Sequence, residues 1–307
     1  MVRAVAAALI AIGAAGLSAA PAGAAVRHVW VAAVPASWNI VPNGRDAIMG
    51  VRHEPSETVF GTVVYRRYSR GWKHPMRNLP ASSGDDDGMP GPLIRARVGD
   101  RLRVHFKNLD TRFNRPHSMH FHGVRYKPSS DGAYVPGFSG GDGDVKPGRT
   151  WTYRLTALPS SAGVWPYHDH SPSMHESIDG GMWGMLSIRG RREPLPDREF
   201  VVVFAPMSRF QSIDGRAFVG NTPVFTAFPG QLVQWDVMAM GSEHHTFHVH
   251  GHRWREHGVP ADTKTVGPAE SFRIRWRERD PGTWLYHCHV ETHMEQGMIG
   301  IYRVKRR

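Results

Sequence analysis

The sequence predicts an all-β protein built from two similar domains. Three observations carry this prediction: 33 glycines and 23 prolines among 307 residues favour many turns, several segments alternate apolar with polar residues, and one arrangement of such segments occurs twice. A chain of this length can form two domains that each bury a hydrophobic core. The formal net charge of +11 is scattered along the chain, which is typical of a solvated surface and does not indicate nucleic-acid binding.

Residues 1–24 have the pattern of a secretory signal peptide. Arg3 precedes a run of small apolar residues, and the run ends in Ala-Gly-Ala at residues 22–24, which is typical of a cleavage site. A retained membrane anchor is the alternative, but the run is short, rich in Ala and Gly, and interrupted by Pro21. No other segment of the sequence is long and apolar enough to span a bilayer. We therefore expect a mature protein that is secreted or periplasmic.

Two pairs of predicted strands occupy corresponding places in the two halves. In residues 90–110, alternating apolar and polar positions follow a Pro-Gly turn, which favours strands. Residues 222–241 repeat the scheme of apolar strand, Pro-Gly turn and alternating strand. A cluster of histidines follows each pair, so both halves have the same order of features.

The closing segments of the two halves match as well. WPYHDH at residues 165–170 aligns without a gap with WLYHCH at residues 284–289, and an apolar strand follows each. This pattern predicts an internal duplication. The polar, proline-bearing segment 189–199 is the expected boundary. It divides the chain into a signal peptide of residues 1–24 and domains of residues 25–190 and 191–307.

Ten of the nineteen histidines fall into four clusters. Residues two apart on a strand point to the same face, so each H-x-H or H-C-H pair presents two imidazoles side by side. Imidazole suits copper, zinc, iron and nickel, and eight paired imidazoles are too many for one mononuclear site. The count favours a cluster of several metal ions. The clustered residues are His120 and His122; His168 and His170; His245, His248 and His250; and His287, His289 and His293.

Cys288, the one cysteine of the chain, lies between two of these histidines. By the same parity rule its side chain points away from theirs, and His245 points away from His248. Two histidines and a thiolate with a weak axial thioether make up a blue-copper electron-transfer centre. We expect Cys288, His245 and His293 to form such a centre, so that the covalent neighbours of Cys288 bind the other metals.

The axial ligand of this centre is expected to be a methionine. Met298 is the preferred candidate because it lies ten residues beyond Cys288 in the sequence. Met294 is the alternative axial ligand. For both methionines, packing in the hydrophobic core is the alternative to a ligand role.

The motifs MHFHG, WPYHDH, HTFHVHGH and HCHVETHMEQGM resemble those of the multicopper oxidases in order and spacing, over most of residues 85–307. The resemblance implies two cupredoxin-like Greek-key β-sandwich or barrel domains. It also implies four copper ions per chain: one type 1, one type 2 and two type 3. The ligands it implies are His245, Cys288, His293 and Met298 for type 1; His120 and His248 for type 2; and His122, His168, His170, His250, His287 and His289 for type 3.

The chain departs from the three-domain form of most laccases and ascorbate oxidases. With room for two domains it resembles the small laccases, and Asp169 stands where the second half has Cys288. A carboxylate cannot make the thiolate bond of a blue-copper site, so type 1 copper is expected in domain 2 only. The resemblance also implies a homotrimer in which domain 1 of one chain meets domain 2 of the next.

The expected activity is laccase-like: single electrons are taken from phenols or aromatic amines, and dioxygen is reduced to water. Asp131 is the candidate proton donor, with turn capping as the alternative. Tyr126 is the candidate auxiliary redox group, with core packing as the alternative. His117, His175, His244 and His252 are assigned to no cluster.

Three other functions fit part of the pattern. A metallo-oxidase acting on Cu(I), Mn(II) or Fe(II) would share the fold, but residues 252–262, expected near type 1 copper, contain no obvious nest of carboxylates. A copper nitrite reductase needs only a mononuclear catalytic copper, which leaves the histidine pairs in excess. A non-catalytic copper-binding protein would account for the 13 methionines, but these form no dense array.

Overall fold

The computed structural model describes residues 24–83 and 88–306, and strands dominate it, as predicted. The expected signal peptide lies, except for Ala24, outside the described residues. Nine strands belong to the first half of the chain: β1 (Val26–Asn39), β2 (Val59–Tyr68), β3 (Pro75–Met76), β4 (Ile94–Arg97), β5 (Arg101–Asn108), β6 (His120–Phe121), β7 (Thr150–Thr156), β8 (Gly163–His168) and β9 (Trp183–Arg189).

The second half of the chain contributes eleven described strands. They are β10 (Arg198–Met207), β11 (Phe210–Ile213), β12 (Val224–Ala227), β13 (Leu232–Ala239), β14 (His245–Val249), β15 (Trp254–Glu256), β16 (Val259–Ala261), β17 (Thr263–Val266), β18 (Ser271–Arg277), β19 (Gly282–Cys288) and β20 (Ile299–Val304).

Helices are short and few among the described residues. They are α1 (Pro55–Thr58), α2 (Met174–Asp179) and α3 (Glu291–Glu295), with 3-10 turns at Arg70–Trp72, Ala81–Ser83, Pro128–Ser130 and Pro159–Ser161. None of these described helices has the length and apolar character needed to cross a membrane.

Each half folds as two sheets that enclose a core. The first half has the strand orders β3-β2-β1-β5-β7 and β4-β9-β8-β6. The second half has the orders β11-β10-β13-β18 and β12-β20-β19-β14-β17, with β15 and β16 as a separate hairpin. Alternating burial along β5 places Leu102, Val104 and Phe106 in the first core. Trp235 and Phe247 belong to the second core.

The same strand pairs occur in both halves, which agrees with the predicted duplication. The parallel pair β1–β5 corresponds to β10–β13, and the parallel pair β4–β9 corresponds to β12–β20. The antiparallel pairs β6–β8 and β8–β9 correspond to β14–β19 and β19–β20. The predicted strands of residues 90–110 and 222–241 are β4 with β5 and β12 with β13.

A third core cluster joins the two halves. It combines residues such as Trp38 and Trp183 of the first half with Val201 and Met238 of the second. The Trp38 indole N–H also donates a hydrogen bond to the carbonyl oxygen of Gly215 (2.6 Å). Between the end of β9 and the start of β10, residues 190–197 form neither helix nor strand. The bounds of the two domains stay a prediction.

Candidate metal centre

The side chains of Cys288, His245 and His293 converge on one point. The Cys288 Sγ atom lies 3.8 Å from His245 Nδ1 and 3.7 Å from His293 Nδ1, and the two nitrogens lie 3.1 Å apart. Cys288 is the last residue of β19 and His245 the first of β14, so neighbouring strands bring them together. His293 lies in α3, which follows β19 closely. We call these three residues the sulfur site.

The sulfur site fits a first-row metal ion in a trigonal arrangement. Metal–nitrogen and metal–sulfur bonds of about 2.0–2.3 Å at 120° would place the sulfur roughly 3.7 Å from each nitrogen, which agrees with the observed 3.8 and 3.7 Å. They would place the two nitrogens roughly 3.5 Å apart, so a bound metal ion would widen the observed 3.1 Å slightly. Burial, with His293 and His244 nearby, lowers the pKa of His245 to about 3, so its imidazole is neutral at neutral pH. Burial raises the pKa of the Cys288 thiol. A metal cation would offset this effect, because it binds the thiolate.

Met298 lies beside the sulfur site. The Cys288 N–H donates a hydrogen bond to the Met298 carbonyl oxygen (3.1 Å), and both residues are fully buried in the second core cluster. Met294 lies half-buried on α3. This arrangement favours Met298 over Met294 as the axial candidate.

A carboxylate that the sequence interpretation missed lies on the other side of His293. A Glu243 carboxylate oxygen is 3.0 Å from His293 Nε2, the ring nitrogen that does not face Cys288. Glu243 also accepts a hydrogen bond from the Gln211 side chain (2.8 Å), and 44% of its own side chain is exposed. The outer edge of the sulfur site is therefore anionic and accessible to solvent.

Four imidazoles of the first half form a second group, the first histidine set: His120, His122, His168 and His170. Their ring centroids lie 5.1–5.8 Å apart in the contacting pairs. β6 and β8 pair His120 with His168, although β8 ends there and His170 lies just beyond it. The Nε2 atoms of His122 and His168 lie 3.2 Å apart. Burial, with neighbouring histidines contributing, lowers the pKa of each of these two imidazoles to about 4.

The second half contains the equivalent group, the second histidine set: His248, His250, His287 and His289. Ring centroids lie 5.1–5.6 Å apart in its contacting pairs. β14 and β19 pair His248 with His287, and the Nε2 atoms of His250 and His287 lie 3.0 Å apart. Burial lowers the pKa of His287 to about 4, and the neighbouring histidines lower it as well. A hydrogen bond with the backbone of Cys288 acts in the opposite direction.

Backbone carbonyls orient the rings in the same way in both sets. The Nδ1–H groups of His120 and His248 donate to the carbonyl oxygens of Asp131 and Asp262, each at 2.7 Å. His168 Nδ1 likewise bonds the following residue's carbonyl (2.9 Å). These bonds leave Nε2 of each ring available as a ligand atom, and a fixed tautomer of this kind is typical of metal-binding histidines.

The two histidine sets lie apart from one another within the chain. Each provides its own group of closely spaced ligand atoms, and among the described residues no ring contact or hydrogen bond joins one set to the other. The eight imidazoles therefore form two half-sites rather than one closed cluster.

Asp131 and Tyr126, the candidate proton donor and auxiliary redox group, both lie beside His120. One Asp131 carboxylate oxygen is 3.4 Å from His120 Nδ1, and the Tyr126 ring centroid is 6.2 Å from that of His120. Burial and a hydrogen bond with Asp131 raise the pKa of Tyr126 to about 12. Asp131 is also the residue that ends the 3-10 turn Pro128–Ser130. The same residue therefore caps a turn and lies near the histidines.

Asp169, which stands in the place of Cys288, is the centre of a buried polar cluster. Its carboxylate accepts hydrogen bonds from the Ser118 N–H (2.7 Å) and the Ser171 hydroxyl (2.7 Å), and contacts His117 Nδ1 at 3.2 Å. His117 Nε2 contacts Asp110 at 3.3 Å. Burial by itself would raise the pKa of Asp169, but the His117 interactions lower it.

His117 therefore bridges two buried carboxylates, a role that the sequence interpretation missed. The signal was present, since His117 precedes His120 by the spacing with which His245 precedes His248. A buried histidine in contact with two carboxylates thus occupies the position that corresponds to the sulfur site.

His252, also unassigned from sequence, forms a second buried ion pair. Its Nε2 atom lies 3.2 Å from Glu278, and its Nδ1–H donates to the His250 carbonyl oxygen (2.7 Å). Glu278 also accepts hydrogen bonds from Trp276 and Tyr302. These contacts hold the backbone that carries His250.

The segment 252–262 does not lie where the sequence interpretation placed it. It was expected beside the sulfur site, but it forms the β15–β16 hairpin, and its last residue contacts His248 of the second histidine set. A hairpin can fold to either side of the strand before it, and the spacing of residues along the sequence does not show which side it takes.

Comparisons with known proteins relate both halves of the chain to one family. Two family profiles described as multicopper oxidase match residues 79–193 and residues 193–307. Ferroxidase HEPHL1 of Homo sapiens is 26% identical over 350 aligned positions, which cover 92% of this chain and 29% of that protein. The chain thus spans less than a third of this curated relative.

Solved structures resemble the chain over nearly all of its length. A crystal structure of a multicopper oxidase has a TM-score of 0.68 at 24% identity and covers 91% of this chain and 89% of its own. Copper nitrite reductase from Nitrosomonas europaea has a TM-score of 0.69 at 19% identity and covers 91% of this chain and 94% of its own. These likenesses establish the fold, and the predicted cupredoxin-like architecture is confirmed.

Proposed function

Because the chain belongs to the multicopper oxidase family, we propose that it is a laccase-like oxidase that takes single electrons from phenols or aromatic amines and reduces dioxygen to water. The position of Cys288 is the observation that carries this proposal. Its side chain belongs to the sulfur site, while His287 and His289, its covalent neighbours, belong to the second histidine set. One segment of chain thus connects a site of electron entry with a site that can bind several metal ions.

The proposed cofactor is copper, with one type 1, one type 2 and two type 3 ions per chain. Copper would supply a one-electron acceptor at the sulfur site and a centre for dioxygen reduction at the histidine sets. The donor types support this assignment: a thiolate with two imidazoles suits blue copper, and neutral, oriented imidazoles suit the remaining ions. Met298 is proposed as the axial ligand of type 1, and the other ligands are those of the sulfur site and the two sets.

The protein's own groups would perform the remaining steps. A donor would approach the accessible edge of His293, and the backbone from Cys288 to His287 and His289 would provide the covalent path between the sites. Asp131, partly exposed beside His120, would take a proton from solvent and hold it at its carboxylate near the first histidine set. Tyr126 would serve as the auxiliary redox group. Overall, four electrons and four protons convert one dioxygen into two waters.

The separation of the histidine sets supports contact between copies of the chain, and the order of three, a homotrimer, rests on the resemblance to the small laccases. A closed cluster of eight imidazoles needs both sets, and these do not meet within one chain. We propose that the first set of one copy meets the second set of the next around a ring, a closed arrangement that satisfies every half-site. The proposed domains, residues 25–190 and 191–307, each contribute one set. Export by the signal peptide of residues 1–24 is proposed from the sequence pattern alone.

A metallo-oxidase acting on Fe(II), Cu(I) or Mn(II) is the second candidate. The carboxylate of Glu243 at His293 Nε2 favours it, because a negative group at the point of electron entry attracts cations. One relative of the chain, Ferroxidase HEPHL1 of Homo sapiens, is by its name an oxidase of iron. The same carboxylate could instead accept the proton of a phenol, so it is compatible with both substrate classes.

Nitrite reduction and non-catalytic copper binding are less well supported. The likeness to a nitrite reductase extends to the fold alone at 19% identity. A single catalytic copper would also leave much of the two four-histidine sets without a role.

The deciding experiment is a copper count on the mature protein with visible and paramagnetic-resonance spectra, followed by dioxygen consumption. About four coppers per chain, intense blue absorption and oxygen uptake with a phenol would support the laccase assignment. Uptake with Fe(II) but not with phenols would select the metallo-oxidase. About two coppers per chain would point to nitrite reductase, and copper without blue absorption would contradict the role of Cys288.

A further inference from the structure

A cavity of about 210 Å³ lies where the two halves meet, beneath the segment that joins them. β1, β4 and β9 of the first half and β13 and β18 of the second contribute to its walls, and Leu195 and Pro196 of the joining segment complete them. Six guanidinium groups line this cavity, which we call the arginine pocket. They belong to Arg27, Arg95, Arg97, Arg189, Arg273 and Arg275.

Positive charge in the arginine pocket exceeds the negative charge that neutralises it. Glu199 is the one carboxylate among its described lining residues, and Arg95 Nε donates to it at 2.7 Å. Arg97 and Arg189 reach only the backbone carbonyls of Arg191 (3.0 Å) and Glu193 (3.4 Å). Within the part of the chain that the structure describes, these two arginines form no ion pair.

Other acidic groups near the pocket are engaged on its inner wall. Arg27 Nε donates to the Asp100 carboxylate. Arg273 Nε lies 2.9 Å from Asp236, and Arg275 lies 2.8 Å from Glu193. The Arg275 Nε atom is nevertheless buried with no hydrogen-bond partner. Burial lowers the pKa of Arg275. Glu193 raises this pKa, whereas the adjacent Arg273 cation lowers it. Crowded cations in a half-buried cavity cost free energy that an anionic ligand would offset.

We propose that the arginine pocket binds a small multivalent oxyanion, of the phosphate or polycarboxylate class. The planar fork of a guanidinium matches the paired oxygens of phosphate and carboxylate, which a point charge such as lysine does not reproduce. The cavity has room for one such ion with a few waters, but none for a nucleic-acid strand or a protein segment.

The arginine pocket lies at the opposite end of the β8–β9 ladder from His168 of the first histidine set, so we expect its ligand to act on the fold rather than on the copper chemistry. In the β8–β9 ladder His168 pairs with Trp183 at one end, whereas the pocket lies at the other end, where Gly163 pairs with Ile188. Five residues of strand at about 3.3 Å each separate the two ends by roughly 17 Å. An anion between arginines of both halves should instead stabilise the contact between the halves.

The test is calorimetric titration of inorganic phosphate into the copper-loaded full chain, at constant ionic strength in chloride. We compare the native chain with Arg97→Gln/Arg189→Gln. The control, Arg70→Gln/Arg303→Gln, removes the same charge from exposed positions outside the pocket. We expect saturable binding to the native chain and the control. In the pocket variant the dissociation constant should rise about tenfold or more, because charge-assisted hydrogen bonds are lost.

A second readout is the midpoint of thermal unfolding, which phosphate should raise in the native chain and the control but not in the pocket variant. If the glutamine variant fails to fold, Arg97→Lys/Arg189→Lys keeps the charge and removes the forks, and it should bind phosphate more weakly. Citrate in place of phosphate tells which oxyanion class fits better. Equal phosphate affinity in the native and pocket variants, or no saturable heat with either anion, would overturn the proposal. Neither result depends on oxidase activity.

Discussion

His293 makes contact on both edges of its ring: Nδ1 lies 3.7 Å from Cys288 Sγ, and Nε2 lies 3.0 Å from the carboxylate of Glu243. One imidazole thus connects the buried thiol to an acidic group that solvent reaches. In the proposed oxidase, this arrangement would place the choice of electron donor at the edge of His293 that faces Glu243.

Replacing Glu243 by Gln should separate the two candidate substrate classes. The change removes a negative charge next to His293 while it preserves side-chain size. We expect kcat/KM for Fe(II) to fall by about 5- to 30-fold, corresponding to roughly 1–2 kcal/mol of lost attraction, and that for an uncharged aromatic amine to change little. Steady-state oxygen uptake with each donor measures this. The control is Glu295→Gln, an exposed residue of α3; an equal loss in both variants would exclude a specific role for Glu243.

Cys288→Ser should abolish the blue absorption and the oxidation of every donor. A hydroxyl does not form the copper–thiolate bond, so one copper per chain should be lost while both histidine sets keep theirs. Copper analysis with visible and paramagnetic-resonance spectra checks this outcome. Met298→Leu is the companion variant and should keep the blue colour with a changed reduction potential. A potential that moves only in Met294→Leu would instead assign the axial role to Met294.

Asp131→Ala should slow reoxidation by dioxygen and leave the blue colour intact. The substitution removes a carboxylate 3.4 Å from His120 Nδ1 but keeps the backbone carbonyl that orients the ring. A loss of general-acid function typically costs about 10²- to 10⁴-fold in rate. Stopped-flow reoxidation of the fully reduced protein measures it. Asp262→Ala is a matched control, because Asp262 contacts His248 through the corresponding carbonyl; equal slowing in both variants would contradict the proposal.

Asp169→Asn should destabilise the copper-free protein by about 3–5 kcal/mol. The change leaves His117 with a weakened partner in a fully buried position, and breaking a buried ion pair costs far more than breaking an exposed one. Urea unfolding gives the free energy. The exposed pair of His175 and Asp179 provides the control, since Asp179→Asn should cost about 1 kcal/mol or less. Similar costs for the two variants would show that burial is not the source of the effect.

Glu278 should make stability depend on pH below neutrality. Burial by itself would raise its pKa from 4.5, but hydrogen bonds from His252, Tyr302 and Trp276 lower it to about 2. A lowered carboxylate pKa contributes stability that is complete above the unfolded value and is lost as pH falls from about 4.5 toward 2. The contribution is on the order of 3 kcal/mol. In the copper-free protein, the stability difference between the native chain and Glu278→Gln should shrink over this range. A difference independent of pH would contradict the assignment.

Much of the fold could be predicted from the sequence, because a half-buried strand shows alternating apolar and polar residues over a few neighbouring positions. Alternating burial along β5 and the repeated segments of the two halves reflect the two-residue period of a strand, which any buried face imposes. Parity along the chain also placed Cys288 and His245 on one side, and β14 and β19 bring them together. The histidine pairs were predicted as strand residues, but each strand ends before the second histidine of its pair: β6 ends at Phe121, β8 at His168, β14 at Val249 and β19 at Cys288.

The residues that were missed depend on partners far away in the sequence. His117 meets Asp169 across 52 positions, and Glu243 meets His293 across 50, so local spacing does not show which residues these pairs join. The spacing of His117 before His120 was a local signal for His117 itself, but it did not identify its carboxylate partners. The misplaced segment 252–262 has a similar cause, since the direction of a hairpin is set by packing. The arginine pocket likewise exists only after β4, β9 and β18 come together.

The separation of the two histidine sets has a consequence for when the protein becomes active. In the proposed ring, a newly made chain carries every ligand yet has no closed oxygen-binding centre until other copies arrive. Turnover per chain should then depend on protein concentration and vanish on sufficient dilution, as assembly does. Such a chain would travel to its destination without carrying out the four-electron reduction of dioxygen, because the proposed centre closes only with association.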